Sequence, residues 1–136
     1  MKPPWMIGAE KDLGQHEIAG DRANPRVMAM FKAIGADWVK DDATPWCAAG
    51  VGAWLEEAGV RSTRDARARS YLSWGLELAE PVLGCVTVIS RGSDPSQGHV
   101  GLFAGLKDGK VLLLGGNQGD EVSYAAFDAT RVLGHR

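Results

Sequence analysis

Apolar residues recur with a helical period through the first half of the chain and with a two-residue period through the second. After Asn24-Pro25, the residues Val27, Met30, Phe31 and Ile34 fall at i, i+3, i+4 and i+7. Asn is a strong helix cap, Pro suits the first helical position, and Gly35 closes the pattern. A helix with a core-facing stripe is the expectation. Thr44-Pro45 opens a second pattern of the same kind, in which Cys47, Val51, Trp54, Leu55 and Ala58 share one face and Gly59 ends the run. With Thr44 as cap and Pro45 as first helical residue, Cys47 is the third. Its sulfur then lies in the first turn, beside unpaired backbone N–H groups and the positive end of the helix dipole. A third helix is predicted near Ser62 to Trp74. The arginines there, Arg61, Arg64, Arg67 and Arg69, read either as a solvated face or as an attraction for an anionic polymer.

The second half carries strand and turn signals. Val82 to Ser90 is rich in β-branched residues, and Gly98 to Ala104 sets His99, Gly101 and Phe103 against Val100, Leu102 and Ala104. Asp108-Gly109 is a hairpin turn, returned by Val111 to Leu114. Glu121 to Phe127 and Arg131 to His135 add two further strands, and Arg91 to Gln97 reads as an exposed loop. Helices over about 9–75 followed by strands over about 82–136 predict an α+β fold, with N-terminal helices packed on a C-terminal antiparallel sheet. With no repeat and no linker, residues 1–136 read as a single domain.

Composition narrows the function. The chain has 136 residues, 45% hydrophobic and 24% charged, enough to bury a core without disulfides or metal. A net charge of −2 gives no basic field for nucleic acid, and no apolar run reaches the ~20 residues of a membrane span. Met1 to Glu10 lacks the apolar core of a signal peptide. Two cysteines and three scattered histidines give no zinc spacing, so no metal and no cofactor is expected.

A Cys/His nucleophilic pair remains. Cys47 is either a small buried hydrophobe or a nucleophile whose thiol is acidified by a helix terminus and a nearby imidazole. His99 is the natural base, with Gly98 and Gly101 leaving room beside the ring. Asn117, in Gly115-Gly116-Asn117-Gln118-Gly119, is an ordinary turn residue or the amide that fixes the imidazole tautomer. With the hairpin centred on Asp108-Gly109, position 99 pairs around position 118, within a residue of Asn117. Cys85 reads as a core thiol, and a Cys47–Cys85 disulfide would block the nucleophile. Trp46 is expected either to pack or to wall a cleft.

Asp42-Ala43-Thr44-Pro45-Trp46-Cys47, Trp74-Gly75, Gly98-His99-Val100-Gly101 and Leu114-Gly115-Gly116-Asn117-Gln118, in that order, resemble a phage and prophage branch of the NlpC-like/CHAP-like cysteine peptidases. These are papain-like peptidoglycan amidohydrolases. The resemblance covers nearly the whole chain, including Glu17 and Asn24-Pro25. It implies a papain-like fold of the NlpC/CHAP type, Cys47 as nucleophile, His99 as general base and Asn117 as orienting residue, with Asp42 and Trp46 at the substrate. Trp46 stands where the NlpC-like group often has Asp, and Gly115 where CHAP relatives often carry Glu. The implied activity is hydrolysis of a stem-peptide amide through a Cys thioester, by an endopeptidase or an N-acetylmuramoyl-L-alanine amidase. The implied partner is bacterial peptidoglycan, with an inhibitor or immunity protein as a further candidate and a monomer as the expected state. A phage endolysin or delivered lytic effector, made in the bacterial cytoplasm and acting in the periplasm or wall after holin release or injection, fits the missing signal. A non-catalytic wall-binding or regulatory module with the same fold, and a papain-like protease acting on protein, are the alternatives.

Overall fold

The computed structural model describes residues 1–18, 23–41 and 44–136. Asn24 caps its helix as its sequence context predicts. Its side-chain oxygen accepts from the N–H groups of Arg26 (2.8 Å) and Val27 (3.4 Å), and α2 (Pro25–Ala33) follows. Val27, Met30 and Phe31 are buried on this helix, with Ile34 just beyond it. Gly35 takes a φ of 79°, the left-handed turn that stops a helix.

An unforeseen helix, α1 (Pro4–Lys11), precedes it. Only Met6 and Ala9 are buried on α1, too sparse a stripe to stand out in the sequence. The helix that begins at Cys47 is the central one. In α3 (Cys47–Glu57), every residue from Cys47 to Leu55 is buried, so it packs on all sides. A Cβ on Gly52 would lie 2.3 Å from Cγ2 of Ile34, so glycine permits the close approach of the α2 end to α3. Arg26 forks between Asp12 and Glu57, each at 2.8 Å, and ties α2 to the end of α3 and to the turn after α1. Asp12 also accepts from the indole N–H of Trp54 at 2.8 Å.

The predicted third helix is not one. Ala68–Ser73 forms a short 3₁₀ helix, and the chain before it is irregular, with Arg64 at a φ of 53°. Side chains there capture the backbone: Ser62 Oγ accepts from Arg64 N–H, and Asp65 from Arg67 N–H. Such local bonds compete with helix formation. The arginine cluster is mostly spent within the fold. Arg64 pairs with Glu56, Arg67 with Asp65, and Arg69 donates to the Gln97 carbonyl.

The strands are β1 (Val86–Ser90), β2 (Gly98–Lys107), β3 (Lys110–Gln118), β4 (Glu121–Asp128) and β5 (Val132–His135). They form an antiparallel sheet in the order β4-β3-β2-β1-β5, which with the helices makes the α+β architecture. Asp108 and Gly109, both at positive φ, turn β2 into β3. The edge strands β4 and β5 are joined by Ala129–Arg131 alone. That connection reaches about 14 Å, whereas five flat strands would set the edges about 19 Å apart. The sheet must therefore curl. One face, with Val86, Val88, Val100, Leu102 and Leu114, packs on the helices. Inside the curl, Ile89, Phe103, Val111 and Leu113 meet Phe127 of β4 and Val132 of β5.

Candidate active site

Cys47 is the first residue of α3, not the third. Thr44 does not cap the helix; its own N–H and hydroxyl are held by Asp41. Trp46 occupies the cap position, and its backbone N–H is satisfied from across the molecule by Asn117 Oδ1 at 2.9 Å. The Trp46 carbonyl accepts from Gly50 N–H, closing the first turn. Cys47 gains from the shift, since its N–H and those of the next two residues have no carbonyl partner within the helix.

His99 is the second residue of β2, opposite Ile89 on β1. Cys47 is 5% exposed and His99 7%. Burial alone would push the thiol up, but the hydrogen bond and the charge of His99 outweigh it and hold the thiol below its ordinary range. The backbone N–H groups of Val100 and Ala48 add to this. The imidazole moves the opposite way. Burial disfavours its cation, yet bonding to Cys47 and to Gln118 raises its affinity for a proton. Together they favour a thiolate–imidazolium pair.

The residue that orients the ring is Gln118, where sequence reasoning chose Asn117. His99 Nε2 bonds to Gln118 Oε1 at 2.8 Å. Gln118 Nε2 donates to the carbonyls of Ser123 (2.7 Å) and Leu113 (3.2 Å). With its amide nitrogen committed to two acceptors, Gln118 offers the ring only an oxygen. His99 Nε2 must then carry a hydrogen. In the neutral ring, Nδ1 is left unprotonated for the thiol.

A bulge explains the exchange of neighbours. The β3–β4 register shifts between Gly115 and Gln118, and Asn117 sits at a φ of 61°. One extra residue in a strand sends the following side chain to the other face. Asn117 therefore turns away from His99 and binds Trp46, while Gln118 turns toward it. The hairpin arithmetic that paired position 99 with position 118 was the usable signal.

Trp46 walls no cleft. It is fully buried, and its indole N–H donates to Glu17 Oε1 at 3.0 Å. Asn117 Nδ2 reaches the same carboxylate oxygen at 3.3 Å. Glu17 is held there because its segment runs beside β4: Glu17 N–H donates to the Asp120 carbonyl, and Gln15 and Val122 are also bonded. A Cβ on Gly116 would lie 2.6 Å from Trp46 Cζ3, so glycine there lets the indole approach β3 closely, while a Cβ on Gly115 would lie 2.7 Å from Gln118 Oε1. Glu17, Trp46 and Asn117 thus brace the turn that delivers Cys47. Asp42 lies outside the described residues.

Cys85 is free, buried and pushed up by burial, with Thr87 Oγ1 3.8 Å away. His135 Nδ1 lies 4.0 Å from its sulfur, yet burial prevails at Cys85 where His99 overcomes it at Cys47. Among the described residues, no group of three His, Cys, Asp or Glu could hold a metal ion, and no helix is long and apolar enough to cross a membrane.

These contacts predict a specific phenotype for Gln118→Ala. Losing a hydrogen bond to a charged ring should slow turnover about tenfold to a hundredfold. Gln118 raises the imidazole's proton affinity, so its removal should also move the alkaline limb of the pH–rate profile to lower pH. Asn117→Ala should leave that limb in place. Rates measured across pH for both variants check this.

The sequence matches no known family profile and none of the curated proteins. The structure is similar to the crystal structure of a lipoprotein-like protein of the NLP/P60 family from Staphylococcus aureus, with a TM-score of 0.56 at 13% identity. The match covers 98% of this chain and 39% of that one. The chain thus has an NLP/P60-like fold and spans about two-fifths of that neighbour.

Proposed function

We propose that the protein is a cysteine amidohydrolase that cleaves a peptide amide of bacterial peptidoglycan. The observation that carries the reading is a thiol at a helix N-terminus whose ionisation His99 favours, with the His99 ring held through Nε2 by Gln118. The NLP/P60-like fold and the ordered motifs around Cys47, His99 and Asn117 support the choice of wall peptide as substrate.

The chemistry follows from the pair. The Cys47 thiolate attacks the amide carbonyl, and the oxyanion lies near the free N–H groups of the first α3 turn, Cys47's own among them. His99 Nδ1 then gives its proton to the departing amine, and a Cys47 thioester remains. Water, deprotonated by Nδ1, attacks the thioester, releases the acid and restores the pair. Positioning residues carry the rest: Gln118 on the ring, and Glu17, Trp46 and Asn117 on the helix start. Delivery to the wall as a lysin or lytic effector belongs to the same proposal.

Mass spectrometry of products from defined wall fragments tests it. Wild-type protein should release fragments with a new amine and a new carboxylate at one amide, and Cys47→Ala should release them about a thousandfold more slowly or not at all. Cleavage by Cys47→Ala at a rate near that of wild type would remove the reading. Cleavage of proteins without release of wall fragments would move the substrate from the wall to protein.

A further inference from the structure

A cleft of about 370 Å³ opens beside the catalytic pair, within the size range of small-ligand sites. Its walls include His99, Gln118, Ser123 and Phe127, with Arg91 and Arg131. No α3 residue and no Asp or Glu lines it. It therefore meets the pair at His99 and Gln118 and not at the sulfur. A substrate that reaches the pair can lay a neighbouring group in it.

The two guanidiniums are brought together by one stretch of backbone. Arg131, in the short connection between β4 and β5, donates through Nε (3.2 Å) and Nη2 (2.8 Å) to the carbonyl of Ser90. Its Cζ lies 5.3 Å from the centre of the Phe127 ring, and that ring lies 5.3 Å from the His99 ring. Arg91 is the residue after Ser90. It is exposed and makes no hydrogen bond or ion pair with a described residue. Its charge nevertheless reaches His99 and works against the imidazolium. Arg131 keeps Nη1 unbonded among the described residues. Two cations thus face a cleft that supplies no counterion and that borders a third, intermittent cation. Their mutual repulsion is relieved when an anion enters. The Arg91 fork matches the planar, two-oxygen geometry of a carboxylate, and Arg131 adds its Nη1.

We infer that this cleft selects substrates that bear a free carboxylate beside the scissile amide, with Arg91 and Arg131 as specificity-determining residues. The inference rests on the hydrolase reading for the amide that the cleft adjoins. Its recognition chemistry stands independently of turnover.

The test uses two wall peptides that differ only in that group, carboxylate in one and carboxamide in the other. Wild-type kcat/KM on both is compared with Arg91→Gln, Arg91→Lys and Arg131→Gln. Affinity for both is measured calorimetrically on Cys47→Ala protein, with and without Arg91→Gln. Wild type should prefer the carboxylate about tenfold to a hundredfold, in cleavage and in binding alike. Arg91→Gln should shrink that ratio to about threefold or less, and Arg91→Lys should restore part of it. Arg91 is exposed, so these variants fold even where Arg131→Gln does not. Equal cleavage and equal binding of the two peptides would overturn the cleft inference and leave the hydrolase standing. Preferential binding of the carboxylate without cleavage of either peptide would uphold the cleft and overturn the hydrolase. Failure to bind or cleave either would overturn both.

Discussion

Protein carrying both Cys47→Ala and His99→Ala should hydrolyse wall fragments no more slowly than Cys47→Ala alone. Each single substitution should cost about a thousandfold or more, some 4 kcal/mol of barrier. The costs should not add, because the two groups act as one. With the sulfur gone, His99 has no thiol to ionise and no thioester to resolve. With the imidazole gone, burial is the largest influence left on Cys47, and it pushes the thiol up. The attacking thiolate is then scarce at neutral pH. Initial rates for the two single variants and the double variant decide the matter. A double variant slower than either single by the product of their losses would mean that the residues serve separate steps, contrary to the paired geometry.

Trp46→Ala should bring the protein close to unfolding. Removing a fully buried tryptophan costs about 3–5 kcal/mol, out of a typical 5–15 kcal/mol for a domain. The indole fills the space above Gly116 and supplies a donor to Glu17. Trp46→Phe should keep most of the packing and lose that donor, at a cost of about 1–3 kcal/mol. It should slow turnover more than its stability loss suggests, since the Glu17–Trp46–Asn117 brace positions the start of α3. Urea unfolding checks the order Ala below Phe below wild type. A Trp46→Ala protein within about 1 kcal/mol of wild type would show that the cavity collapses at little cost.

Local chemistry made much of this molecule legible. Asn24-Pro25 capped a helix, Asp108-Gly109 turned a hairpin, and β-branched runs became strands where expected. Each of those signals acts within a few residues of itself. The pairing of Cys47 with His99 was also readable, through the helix-start position and the residue types. What escaped the sequence was set from a distance. The α3 cap is completed by Asn117, seventy-one residues away in sequence, so the Thr44-Pro45 signal pointed two residues too early. The swap of Asn117 for Gln118 depends on a bulge that no hydrophobic alternation announces. Trp46, which falls off the apolar stripe of the predicted helix, left packing and a cleft wall both open, and packing is what the structure shows. It is buried, with Gly116 of β3 against the indole. The stretch from Ser62 to Arg67 carried helical spacing, and its serine and aspartate side chains took the backbone donors instead.

The central claim is that His99 ionises the sulfur of Cys47. The direct measurement is the rate of iodoacetamide alkylation at Cys47 against pH, with the modified residue located by mass spectrometry. The account predicts fast alkylation of Cys47 well below the ordinary thiol pKa of about 8.5, with Cys85 unmodified. In His99→Ala the reactive limb should move upward in pH. Alkylation of Cys47 that rises only through the ordinary thiol range, or that ignores the loss of His99, would contradict it.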